Sequence, residues 1–145
     1  MRCLLILALL VPGVTRAQCD CIALSAKQAK RGAEIVFRGT VESLRGSGAN
    51  AVVVFRVARV WKGHIPPVFE MPGIESDGWC HGFLPGLLAR GNDLIVFAAK
   101  IDGGGPPNDY FPFHCQTNLV TRSHSSRELG RGRKPRPPRY NYSRG

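Results

Sequence analysis

The chain has no apolar run long enough to cross a membrane as a helix, which takes about 20 residues, because its only sustained stretch covers 3–11. Its histidines, His64, His81, His114 and His124, never stand in the His-x-x-x-His spacing that places two ligands on one helix face, so a resident metal is not expected. Glu34, Glu42, Glu70 and Glu75 form no acid/base couple. Gly103-Gly104-Gly105 leads into Pro106-Pro107 rather than a helix, so it reads as a turn and not a phosphate cradle. His114 beside Cys115 reads as a neighbour of a bridged cysteine, not as half of a thiol nucleophile. These absences argue against an enzyme and against a cofactor.

Acidic residues are scarce only at one end. The formal charge is +10, yet 18–121 holds ten Lys/Arg against nine Asp/Glu, while 122–145 holds eight against one. The near-neutral body argues against a nucleic-acid groove, which wants basic and aromatic residues together on strands. The stretch 122–145 is expected to be a disordered extension, too poor in apolar side chains to fold. Its Arg131, Arg133, Lys134, Arg136 and Arg139 form the candidate tether to polyanionic glycans or another acidic surface.

At the front, Arg2, the apolar run and the small Ala17 read as a secretory signal over 1–17, which implies an extracellular protein, or a periplasmic one in a bacterium. Cys3 leaves with that segment. Four cysteines remain in an oxidising compartment: Cys19, Cys21, Cys80 and Cys115. Cys19-Asp20-Cys21 is poorly placed to bond to itself, so each sulfur must look elsewhere, and arithmetic leaves three pairings open.

The remaining body, 18–121, suffices for one domain. Ser25-Ala26-Lys27-Gln28 has the form of a capping box, predicting a short helix through Arg31 stopped by Gly32. Strand patterns follow over 34–44, with Gly39 marking a bulge, over 51–61 and 68–71, over 93–101, and in a fifth segment ending near Cys115 and continuing to Val120. The segment 82–90 reads equally as a brief helix or an irregular loop. Five strands, one bent at a glycine, suit an all-β, five-stranded Greek-key barrel of the OB type with short helices; a sandwich wants about seven.

Several of these residues carry a resemblance. Cys19-Asp20-Cys21, Phe37-Arg38-Gly39-Thr40-Val41, Arg59-Val60-Trp61-Lys62-Gly63, Cys80 followed by Gly82 and Phe83, Leu94-Ile95-Val96-Phe97-Ala98 and Cys115 after an aromatic strand stand in an order similar to that of the tissue inhibitors of metalloproteinases. The likeness covers their N-terminal, netrin-like domain, at Cys19 to Cys115 here. It implies the bridges Cys19–Cys80 and Cys21–Cys115. It also implies a zinc metalloendopeptidase as partner, met by the edge Cys19, Asp20, Cys21 and Ile22. In that family the α-amine and carbonyl of the first cysteine chelate the protease's zinc and expel its water, and the next side chain enters the specificity pocket. Chelation by Cys19 requires processing after Gln18, and Asp20 stands where the family has a small hydroxyl residue. The family's second subdomain is replaced here by the basic end.

Overall fold

A computed structural model describes residues 21–22, 24–75, 82–107, 109–120 and 125–137. The candidate signal segment, Cys19, Asp20, Cys80 and Arg139 lie outside the described residues.

Helix α1, Ala26–Gly32, begins as its sequence dictates. The Ser25 hydroxyl accepts from the Gln28 amide at 3.2 Å, and the Gln28 side chain accepts from the Ser25 amide at 2.9 Å. Its far end is closed from outside, where the Lys62 ammonium donates to the carbonyls of Lys30 and Arg31, both at 3.1 Å. A cation there satisfies carbonyls that have no partner within the helix and faces the negative end of its dipole. Seven residues are too few for a helix to persist alone, so burial of Ala26 and Ala29 supplies what propensity cannot.

Strands β1, Ile35–Arg45, and β2, Val52–Lys62, pair antiparallel across a loop containing one 3-10 turn, Gly48–Asn50. The register slips between Arg38 and Gly39, where the glycine was read as a bulge. A Cβ at Gly39 would stand 3.2 Å from the Arg56 carbonyl and from Phe55, so any larger residue would crowd the paired strand at the bulge. Strand β3, Val68–Pro72, pairs with β2, and β4, Asp93–Lys100, pairs with β1. The expected fifth strand divides into β5, Tyr110–Pro112, and β6, Asn118–Leu119, both on β4. Pro112 cannot donate to a ladder. Beyond it the chain turns, and the Thr117 hydroxyl substitutes for backbone pairing by accepting from the Phe97 amide at 3.3 Å. Residues 82–90 form turns rather than a helix.

The strand order β3-β2-β1-β4-β5 is curled, so that Phe69 on β3 and Tyr110 on β5, at opposite ends of the order, meet at a ring separation of 5.9 Å. The result is a small, barrel-like all-β fold with short helices. Alternating residues of β1 and β2, including Phe37, Val41, Val53, Phe55 and Val57, fill its interior with Met71, Phe83, Leu94 and Val96. Phe37 packs edge-on against Phe55 at 5.4 Å. On the outside of the sheet Val36, Ile95 and Phe97 form a second apolar layer with Ala26, Ala29, Trp61 and Phe113.

One expectation is corrected. Within 122–145, the stretch 125–137 is ordered and docks on the domain instead of trailing from it. Helix α2, Ser125–Leu129, adds Leu129 to the outer layer, and the Glu128 carboxylate accepts from the Ala26 amide at 2.7 Å, at the start of α1. Farther along, Arg133 and Val60 exchange backbone hydrogen bonds of 2.9 and 2.8 Å. The reason is geometric: β2 has 11 residues and β3 only 5, so the C-terminal half of the β2 edge is left open on the β3 side. The basic stretch takes that place. Few apolar side chains are needed because the docking uses main-chain pairing on a surface already built.

Candidate functional site

Two surfaces gather the residues singled out by sequence. The first is the N-terminal edge. Cys21 is bridged to Cys115 with a Cα–Cα distance of 5.5 Å, which ties the chain just before α1 to the turn between β5 and β6. Beside it the Gln116 side chain donates to the Ile22 carbonyl at 3.5 Å. The Ile22 side chain remains 76% exposed and Leu24 46% exposed. An apolar pair next to a covalent anchor is therefore presented to solvent at low ordering cost. His114 is buried, and its Nδ1 lies 3.4 Å from the Gly82 carbonyl, holding the turn that carries Cys115 against the loop after β3. The candidate bridge Cys19–Cys80 falls outside the described residues.

The second surface is the basic strap. Trp61 is half-buried and donates from Nε1 to the Gly130 carbonyl at 2.9 Å. Gly132, with φ +56, lies so close over the indole that a Cβ would stand 2.9 Å from Nε1. The Arg59 guanidinium reaches the Arg131 carbonyl at 3.4 Å, the Arg133 guanidinium donates to the Gly63 carbonyl, and the Arg136 amide donates to the Ile65 carbonyl at 3.3 Å. Arg131, Arg133, Lys134 and Arg136 are all exposed, and among the described residues none pairs with a carboxylate. Sequence supplied the charge of this segment and missed its attachment. The signal was present as Trp61-Lys62-Gly63 opposite a glycine-spaced run, Gly130 and Gly132, flanked by Leu129.

One ion pair joins β1 to β4. Asp93 accepts from Arg38 at 2.6 and 2.9 Å, and that hydrogen bond, opposed by burial and aided by the carboxylate's charge, holds the guanidinium above its ordinary pKa. Among the described residues no three of His, Cys, Asp or Glu gather as metal ligands, and no helix is long and apolar enough to cross a membrane. No protein-family model matches the chain, and no curated protein matches it.

Proposed function

We propose that the chain is an exported, non-enzymatic inhibitor of zinc metalloendopeptidases, similar to the netrin-like domain of the tissue inhibitors of metalloproteinases. It would present Cys19 to Ile22 to the target's zinc. The observation that carries this reading is the Cys21–Cys115 bridge beside the exposed Ile22, an anchored edge that the resemblance requires. The strand order and the meeting of β3 with β5 support the OB-type arrangement of that family. A catalytic zinc keeps one open coordination position, which a rigid backbone chelate can fill.

The test is to establish the mature N-terminus by intact mass and then titrate the protein against a panel of zinc endopeptidases. Material beginning at Cys19 should inhibit, and material retaining Gln18 should be weaker by at least about 100-fold, because an amide nitrogen replaces a ligating amine. Protein beginning at Cys19 that leaves every enzyme in the panel active would refute the reading.

A second reading is favoured by the ordered strap. Arg131, Lys134 and Arg136 project from a backbone fixed by Arg133 to Val60 and by the Arg136 amide to the Ile65 carbonyl, which suits retention on polyanionic glycans. Replacing these three by Ala should lower the salt needed to elute the protein from immobilised heparin, with melting nearly unchanged. Unchanged elution would remove the strap from that role.

A further inference from the structure

The fold leaves one surface that neither reading uses. Strands β3 and β5 end the strand order, and the gap between them forms a cleft of about 350 Å3, within the range of peptide and ligand sites, about 300–1,000 Å3. Phe69 and Tyr110 line it from the two sides in their edge-to-face contact, and Pro66 and Pro107 continue its walls. Glu70 and Asp109 also line it, and among the described residues no Lys or Arg does. Glu70 shares its charge with Arg45 at 2.6 Å, whereas Asp109 has no cationic partner among the described residues. The field is felt locally: burial first, then the carboxylates of Asp109 and Glu34, push the Tyr110 phenol above its ordinary pKa. An acidic, aromatic cleft is thus built into a chain whose net charge is +10.

The chemistry of the walls selects the occupant. A strand-like ligand would pair with the sheet edges, but proline flanks both: Pro66, Pro67 and Pro72 around β3, and Pro106, Pro107 and Pro112 around β5. Prolines offer no N–H and protect edges from strand addition. A polyproline II segment makes no internal hydrogen bonds, is already extended, and packs its rings on aromatic faces. Arginine within such a segment meets the uncompensated carboxylate and an aromatic face. We propose that the cleft between β3 and β5 binds a proline-rich segment of a partner protein, with a basic residue seated beside Asp109 and prolines against Phe69 and Tyr110.

The probe is a fluorescein-labelled peptide, Pro-Pro-Arg-Pro-Pro-Arg-Pro-Pro, titrated by anisotropy with the full chain and mapped by amide chemical shifts. Saturable binding is expected, with the largest shifts at Phe69 and Tyr110. Asp109→Asn should weaken it about threefold, and Asp109→Asn with Glu70→Gln about tenfold, the scale of exposed charge contacts. Both substitutions are at exposed or half-exposed positions, so melting should hold and serves as the folding control. A peptide of equal charge with glycine in place of proline should bind at least about fivefold more weakly. Equal binding of the glycine peptide, shifts centred on other residues, or indifference to the Asp109 substitution would each overturn the proposal. So would a full chain that refuses the proline peptide while a chain ending at Pro137 accepts it, because the chain's own 138–145, with Arg139 and Arg144, would then be the competing occupant.

Discussion

A chain ending at Val120 is expected to melt about 8–24 °C below the full chain. Its loss removes the Leu129 side chain from the layer over Val36, Ile95 and Phe97, where burial of a leucine is worth about 1.5–3 kcal/mol. It also removes the Glu128 contact to the first amide of α1 and the paired backbone bonds between Arg133 and Val60, each worth about 1 kcal/mol. Ordering the strap opposes these gains, so the net is about 2–3 kcal/mol, and about 4–8 °C accompanies each kcal/mol in a domain of this size. Thermal circular dichroism measures the shift. Tryptophan emission should also move to longer wavelength, because Trp61 loses the Gly130 carbonyl and the cover of Gly132, and Trp61→Phe should abolish that change despite Trp79. Leu129→Ala in the full chain should reproduce about half of the destabilisation. An unchanged melting temperature on truncation would mean that the strap rests on the domain without supporting it.

Breaking the anchored bridge should cost more. Cys21 and Cys115 are 94 residues apart, and closing a loop of that length restricts the unfolded chain by about 4–5 kcal/mol in the entropy model. Cys21→Ser, alone or with Cys115→Ser, is expected to destabilise by about 3–5 kcal/mol, read from urea unfolding with the slope fitted for each protein, because the freed unfolded chain expands. Hydrogen exchange should distinguish this from a general loosening. The amides around Gln116 and Thr117 should lose protection first, because the turn between β5 and β6 is held by Cys115, His114 and the Thr117 hydroxyl rather than by a long ladder. Inhibition, if carried by the N-terminal edge, should fall further than stability does, since Ile22 would then be ordered only by the long contact from Gln116. A loss below about 1 kcal/mol would show that the domain holds this edge without the covalent tie.

Local signals carried most of the fold. Ser25 and Gln28 announced α1 because both halves of a capping box lie within four residues. Gly39 announced the bulge, and the period of Val53, Phe55 and Val57 announced the buried face of β2. What depended on distant partners was hidden. The break between β5 and β6 follows from where Cys115 must meet Cys21 and where Thr117 reaches Phe97, neither of which is a pattern along the chain. Leu87 and Leu88 are buried without helical geometry because they plug the interior from a series of turns. The strap was misread for the same reason: its fit rests on the unequal lengths of β2 and β3 and on one carboxylate meeting α1, while its composition alone describes an unfolded segment. Of the candidate edge, the Cys-x-Cys spacing was legible, and the exposure of Ile22 beside the bridge required the fold.

Because Arg133 completes the row beside β2 and Glu128 closes the start of α1, the first and last parts of the domain are neighbours in space. A nascent chain emerging from its amino end therefore cannot finish the outer layer until Leu129 has been made. Closing that side joins residues about 100 positions apart, so it is a longer-range event than pairing of the β1–β2 hairpin.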